Sequence, residues 1–308
     1  MNILLIGGNG FIGSHLIDEF IRNNHKVRVF DISMEKFRAP LIEVDYRIYS
    51  LDNLTALYES MLEIDIVVHL ASSSVPSTSN VDPVMDINSN LITSLNILNA
   101  AVKAKVKKII YFSSGGAVYG SFTGPIKESI NLNPISSYGI VKATVERYFS
   151  LFGNIHNIET LILRPSNPYG PRQGHFIAQG VISTFLKQII NNQTINVFGS
   201  GESAKDYIYI DDLAKITYEL IISEKSGIFN IGTGVGTTIN QIIQDIRTIT
   251  KTYPKVEYSE QKSYDVLNFI LDINLLKKVI GDFNFTSLYD GISSTWKWMQ
   301  EIIQEKQI

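Results

Sequence analysis

The chain has 308 residues, of which 44% are hydrophobic and 19% charged, a balance that sustains one large α/β core or two closely joined ones and excludes a disordered chain. Its formal charge of -3 and pI near 6.0 leave no basic excess for nucleic acid or an anionic membrane surface, so a small-molecule partner is expected. The absence of cysteine excludes disulfides, thiolate catalysis and cysteine metal sites; the five histidines show no ligand spacing, and no metal is expected.

The opening MNILLIGG carries no basic region and meets glycine after a few apolar residues, too short for a signal segment or a membrane span; a soluble, cytoplasmic protein is expected. Short β-branched runs then alternate with amphipathic stretches. Strands are expected over 2–6, 26–30, 65–70, 107–112 and 159–163, with helices such as 11–23 and 89–103 between them. This alternation predicts an α/β fold: a doubly wound parallel sheet with helices on both faces, within residues 1–170. After RPSNPYGPRQG at 164–174, dense in proline and glycine, the pattern becomes mixed, and residues 171–308 are expected to form mainly a smaller substrate domain. The chain is expected to return to the sheet at about 206–235, through 228–231, before a helix from Ile239, so the border is interleaved.

Between the first strand and the first helix, LLIGGNGFIGSHL sets Gly7, Gly10 and Gly13 around Phe11 and Ile12. Glycine there permits a tight turn and the close approach of a pyrophosphate to the N–H groups of a helix start, where the dipole favours negative charge. The bland alternative is a glycine turn with a solvated acid nearby. VRVFD weighs against it: Asp31 ends the second strand 18 residues after Gly13, where a carboxylate accepts hydrogen bonds from ribose hydroxyls. The same charge repels a 2′-phosphate, which favours NAD over NADP.

Farther along, SSYGIVKATVERYF puts Tyr138 and Lys142 at i and i+4, on one face of a helix. A neighbouring ammonium is expected to lower the tyrosine from its reference value of about 10, giving an acid/base that moves a proton together with a hydride. Alone, this spacing is a common accident and a surface pair is the default. The dinucleotide turn upstream and the serine loop SSGGAVYG at 113–120, straight after an apolar strand, favour the catalytic reading.

The Gly-x-x-Gly-x-x-Gly spacing, HLA at 69–71, Asn90 opening NLITSLNILNAA, SSGGAVYG, YGIVK, LRPSNPYGPRQ, VFGSGESAKDYIYIDDLA and LYDGISSTWKW cover nearly the whole chain. In these motifs the sequence resembles the extended short-chain dehydrogenases/reductases, particularly the NAD-dependent epimerase/dehydratase branch that modifies nucleotide sugars. The resemblance implies a Rossmann-type sheet, NAD as cofactor with NADH as intermediate or co-substrate, and a UDP- or dTDP-hexose as substrate. It also implies a homodimer formed through helices 89–103 and 138–151. Leu70, Ala71 and the serines after them, together with Asn90, Tyr138 and Lys142, are expected against the cofactor; Asn167 is expected to contact substrate through its amide. His69 is read as packed at its strand end, and Trp296 and Trp298 as helix packing.

The chain also departs from the family pattern. The third acid/base partner, a Ser or Thr four residues before the tyrosine of VYG, falls on Gly115. Ser114 is the expected substitute, with Ser113 second, while Gly115 and Gly116 are expected to admit the sugar ring close to the backbone. Lys205 and Lys262 stand where arginines usually meet the diphosphate, keeping the charge without the bidentate fork. Tyr49 and Ser50 replace an Asp and an aliphatic residue that usually meet the adenine. The expected reaction is hydride transfer at C4 of the hexose, with a 4-epimerase first and reduction of a dTDP-4-dehydro-6-deoxy sugar second. Gly115 and Gly116 in place of an Asp and Glu argue against a dehydratase, and decarboxylation of a uronic acid sugar ranks below both. From another class, the alternative is a catalytically silent NAD-binding sensor or scaffold.

Overall fold

Ile3 and Leu5 pack into one hydrophobic cluster and Leu4 and Ile6 into another, so the opening strand is covered on both faces. Only an interior strand of a sheet sandwiched between layers is buried in this way. In the computed structural model, which describes residues 1–122, 124–173, 180–260 and 268–305, this strand is β1 (Asn2–Ile6) of a seven-stranded sheet. The others are β2 (Lys26–Asp31), β3 (Val44–Ile48), β4 (Ile66–His69), β5 (Lys108–Phe112), β6 (Glu159–Pro165) and β7 (Gly227–Ile231). Their order is β7-β6-β5-β4-β1-β2-β3, and every neighbouring pair is parallel. The winding reverses between β1 and β4, and an open α/β sheet binds its ligands in the crevice at such a point, beyond the carboxyl ends of the strands. Register makes that edge level: Ile6 pairs with both Phe30 and His69, and His69 with Tyr111.

Four helices matter for the site: α1 (Phe11–Arg22), α2 (Thr93–Lys103), α3 (Ser137–His156) and α4 (Ile210–Ile222). The five strands read from the sequence lie where expected, within a residue or two, and the chain returns to the sheet edge as β7. Strand β3 was not anticipated; it is an edge strand whose VDYRI leaves Asp45, Tyr46 and Arg47 partly or fully exposed and so lacks the apolar run of an interior strand. The helix expected over 89–103 begins instead as a π-helical stretch, Ile87–Ile92, that continues into α2. There the Asn90 amide donates to the Asp86 carbonyl, taking an acceptor from the regular ladder.

Beyond residue 170 the strands outside β7 gather in small sheets of two or three. Strand Ala204–Tyr209 pairs in parallel with Asn167–Tyr169 and antiparallel with Gly236–Thr238; Val256–Ser259 lies beside Ile195–Phe198, and Ile270–Leu271 beside Pro125–Ile126. Ile182, Phe185, Ile195, Ile242 and Phe269 join the same cluster as Ile3 and Leu5, and Trp296 packs against it, so a single core runs from the sheet into these elements. Among the described residues, no helix is long and apolar enough to cross a membrane.

Candidate active site

The glycine turn leaves no room for side chains where it meets its neighbours. Gly7 adopts a positive φ of 79°, and a Cβ there would lie 2.7 Å from the Ala71 nitrogen; at Gly13 it would overlap the Gly8 carbonyl. Gly10 differs, since a Cβ there approaches only the Gly7 oxygen, at 3.4 Å. It precedes α1 without any side-chain cap, so the N–H groups of Phe11, Ile12 and Gly13 in the first turn face an unblocked surface. Asn9 Oδ1 is buried nearby without a hydrogen-bond partner. A cradle of this kind fits the pyrophosphate of a dinucleotide. Asp31 closes it from β2: its carboxylate accepts from the Asn9 N–H at 3.0 Å and the Ile32 N–H at 2.7 Å. Burial raises its pKa, while those backbone donors and Lys36 pull the other way. Leu70 and Ala71 both donate their N–H to the Ile6 carbonyl, which folds the end of β4 over the turn.

Tyr138 and Lys142 project from the start of α3, and that start is held from outside the helix. The Ser137 N–H donates to Asn80 Oδ1 at 2.8 Å, the Tyr138 N–H to Ser79 Oγ at 3.0 Å, and the Gly139 N–H to its own cap, Ser136 Oγ, at 3.2 Å. Lys142 is buried, donates to the Phe112 carbonyl at 2.8 Å, and has its Nζ 4.9 Å from the Tyr111 ring centroid and 5.6 Å from that of Tyr138. The expected lowering of the tyrosine is not what this environment produces. Burial pushes the Tyr138 phenol up to about 12, with the neighbouring Ser114 hydroxyl working against it and Asp86 adding to it. Burial likewise brings Lys142 down to about 8, opposed by Glu146 and Asp86. Desolvation disfavours both charged forms and is the leading cause of each shift.

The SSGG loop separates its two serines. The Ser114 hydroxyl lies beside the Tyr138 phenol and favours its phenolate, and Ser114 precedes the short helix Gly115–Val118 without capping it. Ser113, the second candidate, is corrected by the structure: its hydroxyl donates to Glu146, buried within an ion pair of Glu146 with Arg164 that extends to Tyr119 and Asn230. Successive residues leaving a strand point to opposite faces, so only one of the two reaches the cleft. At Gly115 a Cβ would sit 3.0 Å from the Pro165 carbonyl oxygen, 3.1 Å from the Phe269 ring and 3.2 Å from the Arg164 oxygen, so its side-chain direction is filled. At Gly116 the nearest atoms, Asn167 Oδ1 and the Phe269 ring, stand 3.9 Å away.

Asn90 does not present its amide to the cleft. Its Oδ1 accepts from the Ser73 N–H at 2.9 Å and its Nδ2 donates to Asp86 Oδ1 at 2.8 Å, which fixes the loop after β4. Asn167 donates to the Asp206 carbonyl at 2.7 Å, leaving its Oδ1 turned toward Gly116. Lys205 lies half-buried in strand Ala204–Tyr209, and Lys262 falls outside the described residues. His69 is packed as expected: it bonds Ser94 at 2.8 Å, stacks with Phe149, and is driven down to about 3 by burial, then by Lys142. Among the described residues, no three His, Asp or Glu side chains are grouped to hold a metal. Sequence reasoning missed Asp86, Ser79 and Asn80. Only Asp86 left a signal, its i, i+4 spacing to Asn90; the other two act across more than fifty residues.

Comparison with known proteins agrees with this geometry. The profile of the NAD dependent epimerase/dehydratase family matches residues 3–232. A putative UDP-glucose 4-epimerase of Methanocaldococcus jannaschii is 33% identical over 305 residues, covering 97% of this chain and 98% of its own length. A dTDP-4-dehydro-6-deoxyglucose reductase of Escherichia coli is 32% identical over 304 residues, covering 96% of each. Among solved structures, the UDP-glucose 4-epimerase of Thermotoga maritima with UDP-glucose superposes with a TM-score of 0.91 at 33% identity, over 98% of this chain and 100% of that one.

Proposed function

The chain belongs to the NAD-dependent epimerase/dehydratase family and is an NAD-dependent enzyme of nucleotide sugars, and from that premise we propose that it is a 4-epimerase acting on a UDP- or dTDP-hexose. The observation that carries this reading is the Tyr138 phenol beside the Ser114 hydroxyl, with the Lys142 ammonium 5.6 Å from its ring, at the carboxyl edge of the sheet. NAD, when bound, supplies the acceptor and then the donor of the hydride. Gly7, Gly10, Phe11, Ile12 and Gly13 would hold its pyrophosphate, Asp31 its ribose, and Leu70 and Ala71 its flank. As the phenolate, Tyr138 takes the O4 proton while the C4 hydrogen leaves with its electron pair, giving a 4-keto sugar. After that sugar turns its other face, Tyr138 returns the proton to O4 as the hydride comes back. Ser114 holds the sugar oxygen, Lys142 lends the charge that favours the phenolate, and Lys205 and Lys262 are assigned to the diphosphate. Asn167 and Gly116 border the sugar. With these reactants the proposed setting is the cytoplasm, and the proposed assembly a homodimer.

A second reading, single reduction of a dTDP-4-dehydro-6-deoxyhexose, is favoured by the Tyr138 environment. Burial holds the phenol protonated, with a pKa of about 12, and a ketone reduction starts from that state whereas an epimerisation must begin by removing a proton. The decisive experiment incubates purified protein with UDP- and dTDP-hexoses without added cofactor, and separately with dTDP-4-dehydro-6-deoxyglucose plus NADH, and identifies the products. A 4-epimer in the first arm supports the epimerase; product in the second arm alone supports the reductase. Tight NAD binding without turnover in either arm removes both and leaves an NAD-binding sensor or scaffold.

A further inference from the structure

Asp86 is fully buried at the end of the short helix Pro83–Asp86, yet none of the chemistry above uses it. Three donors from three parts of the chain converge on its carboxylate. Oδ1 accepts from Ser74 Oγ at 2.6 Å and from Asn90 Nδ2 at 2.8 Å, and Oδ2 accepts from Ser137 Oγ at 2.7 Å. Ser74 lies in the loop that leaves β4 beside the glycine turn, Asn90 in the π-helical stretch, and Ser137 immediately before Tyr138. The same segment contributes Ser79 and Asn80, which cap the Tyr138 and Ser137 N–H groups. One end of residues 71–90 therefore packs on the cofactor turn and the other grips the first turn of α3.

We propose that Asp86 is a positioning residue of the reaction centre, tying the loop after β4 to the first turn of α3 and holding one negative charge beside Tyr138 and Lys142. Its use in catalysis rests on the hydride-transfer reading; its geometry does not. A buried carboxylate is tolerated when several donors satisfy it, and the start of a helix is electrostatically suited to it. Misplacing a reacting group by about 1 Å costs on the order of a hundredfold in rate, so a tether directly adjacent to the acid/base has a function to serve. The other ionisable groups facing Tyr138 and Lys142 are Tyr111 from β5, His69 from β4, and Glu146 on α3, which is already paired with Arg164.

Asp86→Asn separates the charge from the tether. Its oxygen still accepts from Ser74 and Asn90, and its amide donates to the Ser137 hydroxyl, which accepts as readily as it donates. Asp86→Ala removes both. Two measurements on the NAD-bound protein need no substrate. In 13C-lysine NMR, the Lys142 signal, assigned by its loss in Lys142→Met, titrates in wild type; Asp86→Asn should lower that midpoint by about half a unit or more, because a favourable negative charge is gone. In amide exchange, Asp86→Ala should speed exchange at Ser137 and Tyr138 by roughly tenfold or more, while Asp86→Asn leaves it near wild type. An unmoved Lys142 midpoint in Asp86→Asn, or unchanged exchange in Asp86→Ala, overturns the proposal. Should either variant fail to fold, Ser137→Ala cuts the tether alone; faster exchange at Tyr138 supports the proposal and unchanged exchange overturns it. Absence of turnover in wild type would overturn the hydride-transfer reading while leaving these two outcomes to stand.

Discussion

The Ser114 hydroxyl stands beside the Tyr138 phenol, so a hydroxyl reaches the phenol although residue 115 is glycine. That hydroxyl favours the phenolate and opposes the burial that holds the proton on. Ser114→Ala should therefore lower turnover by roughly ten- to a thousandfold with NAD affinity unchanged, and Tyr138→Phe should cost more. The dependence on Ser114 should be steeper for an epimerase, which must begin by deprotonating an alcohol. Steady-state kinetics with NAD binding measured separately checks this; wild-type turnover in Ser114→Ala would mean that Tyr138 and Lys142 act without it.

Asp31 is pinned by the N–H groups of Asn9 and Ile32, so its carboxylate is aimed before any ribose arrives. Asp31→Ala should weaken NAD binding and narrow the preference for NAD over NADP, since an acceptor and a repulsive charge are removed together. Calorimetric titration of both dinucleotides measures the ratio. An unchanged ratio would show that β2 does not meet the adenosine ribose.

On α3, Ile140, Leu151 and Ile155 fall on one side of the helix and are about half exposed, and Ile87 and Ile92 stand exposed on the neighbouring π-helical stretch. A second copy of the chain packing these helices together would cover them. Leu151→Glu with Ile155→Glu should convert a dimer to a monomer at micromolar concentration, read by light scattering. A monomeric wild type under the same conditions would remove the expectation.

The elements legible in the sequence are those written locally. The glycine turn, Asp31 at a strand end, the i, i+4 pair Tyr138 and Lys142 and the return of β7 all announce themselves within a few residues. What was not legible depends on contacts between distant segments. Ser79, Asn80 and Asp86 meet the start of α3 from more than fifty residues away, and Phe269 closes the space at Gly115 from farther still. The direction of the Tyr138 shift is not legible for the same reason: spacing reveals a neighbouring ammonium but not how much water the fold removes from both groups.

Lys142 carries a cost that depends on pH. Its pKa falls from 10.5 in the unfolded chain to about 8 in the fold, so the unfolded state binds the extra proton between those values and stability on its account rises with pH across that window. Below about 8 both states are protonated and the penalty is fully present. Lys142→Met removes it. The stability of Lys142→Met relative to wild type should therefore fall by about 2 kcal/mol between pH 7 and pH 10, whatever the variant loses with the bond to Phe112. Denaturant unfolding of both proteins at the two pH values tests the sign. A constant difference would mean that Lys142 is solvated in solution.

Gly115→Ser returns the hydroxyl that the family pattern expects, and the sequence alone suggests that it should rescue Ser114→Ala. The structure argues otherwise. A Cβ at 115 meets the Pro165 and Arg164 oxygens at 3.0 and 3.2 Å and the Phe269 ring at 3.1 Å, and the two backbone oxygens belong to the end of β6 and have little freedom to retreat. Only Phe269, itself buried, can yield. Gly115→Ser should lower stability by about 1–3 kcal/mol through overpacking and leave Ser114→Ala unrescued. Because the strain runs partly through one ring, the loss should shrink in a Phe269→Ala background, a coupling that a double-mutant cycle isolates. Gly116→Ala is the control: its nearest neighbours are 3.9 Å away, so it should fold as wild type yet raise the KM for the nucleotide sugar, since its methyl group points toward Asn167 Oδ1. Restored turnover in Ser114→Ala with Gly115→Ser, at wild-type stability, would show that Phe269 leaves this position in solution and that residue 115 faces the sugar after all.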